Sequence, residues 1–358
     1  MLKRLVFPPW LRLGLALPLL VLNLWVLRQL LLPLAPFPAL FLTAALLAFL
    51  LDRPSRWLTG RGLPRALALV LVLGLGLGAV VLAALWLVPR LVIQLDELIT
   101  ALPGWLAQGE TLLDQLQTWA SSRGLPTDFG DLSSDLLSRA SKLASQLSQR
   151  LLSLLGATVG LTVNTVIVLV LTVFLLLGGE GIVAGLAGWL PQGIRPLVLS
   201  TLQRTFTGYF GGQVLLALIL TSVQMLVFTL LGIPYGVLFA VAIGFTTLIP
   251  YASALTIVFT SLLLALHDPR QGLEVLAAAI TAGQVVDQVI QPRLMGSIVG
   301  LQPAWLLISL PVGARLASLM GLGELLGLLL AVPVASCGKT FLDAWAVRLR
   351  AAAAIDQS

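Results

Sequence analysis

A stripe of polar residues within an apolar segment is the part of this sequence most suited to chemistry. Gln284, Asp287, Gln288 and Gln291 follow one another at positions i, i+3, i+4 and i+7, which places one carboxylate and three amides on a single face of an α-helix. A carboxylate in such a segment can bind a cation or exchange a proton. The stripe therefore predicts either a path for a substrate or coupling ion, or a structural contact with another charged residue.

Two further ionisable residues, Arg315 and Glu324, also interrupt long apolar runs. A charged side chain in the middle of a bilayer costs about 2.5–3.5 kcal/mol on insertion scales, so each of them needs a specific role. Arg315 is predicted to line the path and balance charge, or to pair with Asp287 and join two helices. Glu324 follows Gly321 and Gly323, where it is predicted to line the path or to cap exposed backbone amides.

Pro250 breaks another apolar segment and has polar neighbours. Proline removes a backbone donor from a helix, and Thr246, Thr247 and Tyr251 lie beside it. Broken helices in transporters expose backbone groups to ligands at mid-membrane depth. A proline kink whose backbone groups are satisfied by the threonines is the alternative.

The composition places all these residues in a membrane. Of the 358 residues, 58% are hydrophobic and only 10% are charged, whereas soluble domains average about 25% charged residues. So few charges cannot cover the surface of a soluble protein of this size, which excludes an ordinary water-soluble enzyme. We expect one all-α, polytopic membrane domain, with the lipid bilayer as its solvent.

Several other functional classes fit the sequence poorly. The net charge of +6 is spread between apolar runs without a basic block, which argues against nucleic-acid binding. One cysteine, Cys337, and one histidine, His267, exclude a disulfide or a Cys-rich metal site. Gly338 and Lys339 resemble the end of a phosphate-binding loop, but Pro333 occupies the upstream glycine position. We expect no enzyme activity and no cofactor beyond a coupling proton or sodium ion.

Apolar stretches divide the chain into membrane spans of about 20 residues. The uncharged stretch from Thr205 to His267 is too long for one helix, since it would extend to about 95 Å. The turn Gly232–Gly236 therefore divides it. About eight spans result, with broken or re-entrant segments near Pro250, near Pro311 and at the Gly321–Glu324 cluster. The predicted spans are Leu13–Leu34, Phe37–Leu51, Ala66–Val88, Leu151–Gly179, Gly212–Leu231, Val237–Leu266, Leu273–Ile290 and Ala304–Ser336. Asn164, Gln213 and Gln224 are predicted to form interhelical hydrogen bonds within them.

The distribution of lysine and arginine predicts the orientation in the cell membrane. With both termini in the cytoplasm, most of these residues lie inside, as the positive-inside rule requires. This topology places Arg270 inside, and the Gly232–Gly236 turn and Arg293 outside. Residues 1–88 then hold spans one to three, residues 89–150 an extracytoplasmic amphipathic region, residues 151–340 spans four to eight, and residues 341–358 a cytoplasmic tail.

The polar interval Pro89–Arg150 is predicted to be helical as well. Leu91, Leu95, Leu98 and Leu102 recur at helical spacing, so two or three amphipathic helices are expected. They could cap the membrane domain, join copies of the chain, or form a gate or a partner surface.

Several short motifs of the C-terminal half share their order with a known family. The most specific one, Gln291–Pro303, resembles the Pro-Lys-Leu-Met-Gly-x-x-Val-Gly-Leu-x-Pro signature of the autoinducer-2 exporter family of membrane permeases. Its signature-loop positions are Pro292, Arg293, Gly296, Gly300 and Pro303. The other matching motifs are Phe174–Gly179, Gly208–Gln213, Leu231–Tyr235, Leu248–Tyr251 and Gly327–Ala335.

The resemblance implies an eight-span, homo-oligomeric permease that exports small molecules or, in some members, exchanges sodium for protons. The acidic position upstream of the family signature, often glutamate, is matched by Asp287. After Pro250 and Tyr251 the family usually has Ile-Gly-Pro, whereas this chain has Ala252–Ala254, which implies a milder break.

The leading hypothesis is therefore a secondary-active transporter that exports a small polar solute across the cytoplasmic membrane. One alternative is a sodium/proton antiporter in which Asp287 titrates as the ion ligand. The other is a non-transporting membrane scaffold whose helices in residues 89–150 recruit a partner.

Overall fold

The computed structural model of the chain is helical throughout the part that it describes. It describes residues 22–23, 25–26, 29–30, 37–123, 142, 145–146, 149, 158–295 and 302–355, and no strand occurs among them. The predicted all-α fold class is confirmed. In chain order the helices are α1 (Phe37–Thr59), α2 (Arg65–Ser122), α3 (Thr158–Gly188), α4 (Arg195–Leu230), α5 (Gly236–Thr246), α6 (Ala252–His267), α7 (Pro269–Val285), a π-helical turn (Val286–Ile290), α8 (Gln291–Met295), α9 (Pro303–Leu319) and α10 (Glu324–Ile355).

Several helices are suited to crossing a membrane. Within the described residues, five are long and apolar enough to do so, or six if the two bent parts of α3 form one span. These helices support a polytopic membrane protein, whereas the predicted count of eight spans is not established. The predicted first span, Leu13–Leu34, falls largely outside the described residues, as do the signature-loop residues Gly296 and Gly300.

The chain divides into two compact units. The first lies within residues 1–48, 167–183 and 301–358, and the second within residues 49–166 and 184–300. Helices α4 to α8 and the π-helical turn belong to the second unit, together with α2. Helices α9 and α10 belong to the first unit.

The segment predicted as span six is a helical hairpin. Helix α5 has 11 residues and α6 has 16, about 17 and 24 Å of helix, which is shorter than the hydrocarbon core of about 30 Å. The hydroxyls of Thr246 and Thr256 form a hydrogen bond of 3.0 Å across the break. In one continuous helix these residues would be about 15 Å apart. The chain therefore reverses between the two helices, and of the two predicted alternatives, a broken crossing or a re-entrant segment, the structure has the re-entrant form.

Trp105 shows that both ends of this hairpin lie together. Its indole ring is 5.7 Å from the ring of Tyr235, just before α5, and it stacks at 5.1 Å on the imidazole of His267, the last residue of α6. Helix α7 therefore starts at the end of the second unit where α4 finishes. Arg270 and the turn containing Tyr235 share this end, so the prediction that they lie on opposite membrane sides is wrong.

Local sequence explains where these helices begin and end. Helix α4 ends in a left-handed Gly232, with φ of 64°, after which the Ile233 amide donates to the Phe228 carbonyl at 2.9 Å. This is the hydrogen-bond pattern of a glycine-terminated helix. Helix α7 begins at Pro269, and the preceding Asp268 side chain accepts from the Arg270 amide at 2.9 Å, as an N-cap does.

The segment predicted as span eight is also a hairpin. The chain turns between α9 and α10, where Gly321 and Gly323 have φ of 72° and 86°. Beyond the turn the helices touch through glycines, since a β-carbon on Gly327 would collide with the carbonyl oxygen of Gly313. Small residues at such positions allow two membrane helices to approach closely. Pro311, which was expected to break this segment, stays within α9.

The reversal at α5–α6 can be tested by cross-linking. In a Cys337→Ser background, we expect the pair Thr246→Cys and Thr256→Cys to form a disulfide on mild oxidation, since bridged residues need β-carbons only about 3.5–4.5 Å apart. Peptide mass spectrometry without reduction detects the bond. The control pair Thr246→Cys and Leu262→Cys should remain reduced. Recovery of both cysteines of the first pair as alkylated thiols would indicate a continuous helix instead.

Candidate functional site

The tip of the α5–α6 hairpin contains the polar residues predicted around the proline break. The Ile249 amide donates to the Thr246 carbonyl at 3.0 Å, and the Ala252 amide donates to the Ile249 carbonyl at 3.2 Å. Pro250 lacks an amide hydrogen, and Tyr251 adopts a left-handed φ of 67° with its side chain exposed. The tip is therefore a tight, irregular turn that presents a phenol and backbone carbonyls.

The threonines of the tip bond mainly to their own helix. Thr246 donates to the Ala242 carbonyl at 2.8 Å, and Thr247 donates to the Ile243 carbonyl at 2.9 Å. Thr246 also accepts the hydrogen bond from Thr256 across the hairpin. The threonine hydroxyls thus use their protons to stabilise the break. The remaining lone pairs on their oxygens are left to accept hydrogen bonds from a ligand.

Two buried glutamines of α4 hold the neighbouring helices. The Gln213 side-chain amide donates to the backbone carbonyl of Thr247 at the tip, and the Gln224 amide donates to the Ala279 carbonyl of α7 at 3.0 Å. Both predicted interhelical hydrogen bonds are confirmed, while the side chain of Asn164 is exposed. Gln213 contacts the break itself, a role that the sequence analysis missed although Gln213 ends a family motif.

The polar stripe runs from α7 through the π-helical turn into α8. Gln284, Asp287 and Gln288 are exposed, whereas Gln291 is half-buried. The Gln291 amide bonds to the Val286 carbonyl, five residues earlier, and this wider turn shifts Gln291 away from the others. Turns of this kind occur frequently at functional sites.

The hairpin tip and the π-helical turn lie at a similar depth of the second unit. Helices α4 and α7 run in opposite directions and are joined by the Gln224–Ala279 bond. Gln213 precedes Gln224 on α4 by as many residues as the end of the π-helical turn follows Ala279. Because the two helices are antiparallel, both places lie at about the same distance from this bond, and the π-helical turn also contacts α4. Val286 is buried there. Among the described residues no hydrogen bond or ion pair joins Asp287 to the tip.

The remaining predicted site residues lie elsewhere. Arg315 is exposed on α9, and Glu324 is exposed at the start of α10. Both belong to the first unit and Asp287 to the second, so the predicted Asp287–Arg315 pair stays a prediction. In the signature loop, the exposed Pro292 and Arg293 belong to α8, and Pro303 begins α9. Across the described ranges, no cluster of three or more His, Cys, Asp or Glu residues could hold a metal ion.

The polar interval after the third predicted span begins as part of α2. Helix α2 continues from Arg65 to Ser122 through Pro89 and Pro103, so the prediction of separate amphipathic helices is wrong for this part. The remainder, residues 124–150, is described only at isolated positions.

Residues of this extended helix hold the open end of the hairpin. The Gln94 side chain accepts from the Leu238 amide at 2.9 Å, and the Gln108 side-chain oxygen is 3.0 Å from His267 Nδ1. The buried Trp105 contacts Tyr235 and His267. The helical period that predicted an amphipathic segment also places these three residues on one face of α2.

Known proteins resemble this chain over almost its whole length. A family model described as AI-2E family transporter matches residues 15–347. Two relatives from Synechocystis sp., provisionally named transport proteins sll0063 and sll0060, are 35% and 33% identical to it. The matches cover 91% and 93% of this chain and 82% and 96% of the relatives. The Mycobacterium tuberculosis protein MT0215, with the same kind of provisional name, is 26% identical over 87% of this chain and 82% of its own length.

The bond from Gln213 to the tip predicts a stability effect. We expect Gln213→Leu to lower the free energy of unfolding by about 1 kcal/mol, since the Thr247 carbonyl loses its donor in a region poor in water. Thermal unfolding in detergent measures this loss. Gln203→Leu, at an exposed position of the same helix, is the matched control and should leave the melting temperature unchanged. Equal melting temperatures for both variants would contradict a role for this bond.

The contacts of Trp105 predict a larger effect. Trp105→Ala removes a buried indole that touches both ends of the hairpin, and we expect a loss of about 3 kcal/mol or more. The matched control is Trp119→Ala, because Trp119 lies further along α2 and is 52% exposed. The control should change stability by about 0.5 kcal/mol or less. Thermal unfolding of both variants in detergent provides the measurement, and similar losses would show that Trp105 does not clamp the hairpin.

Proposed function

Because the chain belongs to the AI-2E family of transporters, we propose that it is a secondary-active permease that exports a small polar solute across the cytoplasmic membrane. The observation that carries this proposal is the irregular tip of the α5–α6 hairpin, held by Gln213 between helices of membrane-spanning composition. Irregular backbone is tolerated at membrane depth where it is enclosed by protein or lines a water-filled cavity. Transport, and not catalysis, is the activity that such a tip serves.

The proposed path passes the hairpin tip and the polar stripe. Tyr251 offers an exposed hydroxyl at the tip, and the exposed carboxylate of Asp287 lies at a similar depth. A hydroxylated or otherwise polar solute finds donors and acceptors at both places. The π-helical turn supports this assignment, because such turns are rare in proteins and occur frequently at functional sites.

The exposure of the polar stripe supports a water-filled path and a homo-oligomer. Gln284, Asp287 and Gln288 lie on the outside of the single chain, and a carboxylate that faced lipid there would cost about 2.5–3.5 kcal/mol. Water in a path, or a second copy of the chain beside it, removes this cost. We propose that copies assemble around this face, with the path between protein surfaces.

A proton or sodium ion provides the drive in this proposal. Asp287 alternates between binding the ion and releasing it, while the amides of the stripe supply neutral oxygen ligands. Arg315 and Glu324 belong to the first unit, and their predicted role as charged path residues stays a prediction. In a path that excludes bulk water, such charges interact more strongly than they would at the protein surface.

We further propose that both termini are cytoplasmic. Each hairpin, α5–α6 and α9–α10, replaces one predicted crossing by a reversal and so removes one crossing. Because two crossings are removed, the C-terminus stays on the side predicted from the sequence. Arg270 and Arg293 exchange sides, which leaves the excess of positive charge inside.

The role of Asp287 can be tested by transport in inside-out vesicles. A panel of small polar solutes is supplied, with autoinducer-2 first, and uptake is driven by an imposed proton or sodium gradient. We expect Asp287→Asn to reduce gradient-driven uptake at least tenfold, because the neutral amide cannot exchange an ion. The control is Glu274→Gln, since Glu274 lies on α7, which leads into the π-helical turn, and pairs with Arg270 at the surface. Equal activity of Asp287→Asn and the native chain, both normally inserted, would exclude this site.

The same vesicles separate the alternative functions. A pH-sensitive dye reports proton movement after a sodium pulse without solute. A sodium/proton antiporter responds to the pulse, whereas a solute exporter requires the solute. A scaffold supports neither response and would contradict transport altogether.

A further inference from the structure

A cavity of about 640 Å³ lies in the second unit, away from the polar tip and the stripe. It is open on one side and is lined by α2, the last turns of α4 and the first turn of α5, and the side chains that decide its chemistry are Trp86, Arg90, Glu97, Met225, Leu226 and Thr229. The volume is within the range of small-molecule sites, about 300–1,000 Å³. None of these residues belongs to the proposed transport path.

The cavity contains one positive and one negative side chain that do not neutralise each other. The Arg90 guanidinium lies 4.0 Å from the centre of the Trp86 ring. Glu97 follows two helical turns later, about 10 Å along α2. Burial, and then the charge of Glu97, raise the pKa of Tyr235, so Glu97 lies near that phenol. Within the described part of the chain no ion pair joins Arg90 and Glu97.

Apart from the hydroxyls of Ser222 and Thr229, the α4 wall is apolar, and it lies near the end of a membrane helix. Met225, Leu226 and Thr229 belong to the last two turns of α4, which ends at Leu230. A site at this level meets both lipid headgroups and the start of the acyl chains. Tryptophan and arginine are typical of this interfacial region.

The walls are held in place before any ligand binds. Gln94, which lies between Arg90 and Glu97 on α2, accepts a hydrogen bond of 2.9 Å from the Leu238 amide of α5. This bond fixes the distance between two of the three helices that line the cavity. A site formed in advance loses less entropy on binding than a flexible one.

We propose that this cavity binds a phospholipid whose headgroup carries hydrogen-bond donors. The phosphate binds Arg90, the ammonium or hydroxyl group of the headgroup donates to Glu97, and an acyl chain lies along Met225 and Leu226. Charge-assisted hydrogen bonds of this kind are stronger than neutral ones. A choline headgroup has no N–H or O–H group and cannot donate to Glu97, so phosphatidylcholine fits one end of the site only.

Native mass spectrometry of the full chain, stripped of lipid in detergent, tests this proposal. The probes are phosphatidylethanolamine, phosphatidylglycerol and phosphatidylcholine with identical acyl chains. We expect the first two to bind at least tenfold more tightly than the third. Arg90→Gln should weaken their binding at least tenfold, and Glu97→Gln should remove the preference over phosphatidylcholine.

The chain offers a matched control for the arginine. Arg123 also lies over a tryptophan of α2, 4.7 Å from the ring centre of Trp119, but it does not line the cavity. Arg123→Gln should therefore leave lipid binding unchanged. Met225→Trp, which fills the cavity while keeping both charges, should abolish binding even in a protein that folds normally.

Three results would overturn the proposal. The first is equal binding of phosphatidylcholine, and the second is equal weakening by Arg90→Gln and Arg123→Gln. The third is competition by water-soluble phosphoethanolamine at concentrations similar to those of the lipid, which would show that the apolar wall is not used and that the ligand is a soluble solute.

Discussion

The hydrocarbon core of a bilayer offers no hydrogen-bond partner to the peptide backbone, and the arrangement of the second unit follows from this constraint. A helix can be broken in that environment only where other protein groups satisfy the broken turn. Here Gln213 reaches from α4 to the Thr247 carbonyl, and the hydroxyls of Thr246 and Thr247 bond to carbonyls of α5. The polar side chains around the break are therefore also those that allow it to exist.

The same constraint links the hairpin to the polar stripe. The π-helical turn at Val286–Ile290 keeps Val286 buried while Asp287 is exposed. Helix α4 contacts this turn and also bonds to the hairpin tip. Helix α4 therefore connects the hairpin tip and the π-helical turn through direct contacts within the second unit.

The sequence predicted the elements well and their connections poorly. Apolar runs indicated a helical membrane protein, and Pro250 with its threonines indicated the position of the break. The direction of the chain after the break could not be predicted, because a kinked span and a hairpin of the same length share one hydropathy pattern. The difference depends on tertiary contacts, the Thr246–Thr256 bond and the position of Trp105 between Tyr235 and His267. For the same reason, the boundary predicted at Pro89 is absent, and α2 continues through it.

The length of α2 has a mechanical consequence. Its 58 residues form one helix of about 87 Å, nearly three times the hydrocarbon thickness. Pro89 and Pro103 lie within it, and a change of helix direction at either proline displaces the whole segment beyond it. Helix α2 is bonded to the hairpin through Gln94 and Gln108. Rearrangement of the hairpin would therefore displace the part of α2 that extends beyond the bilayer.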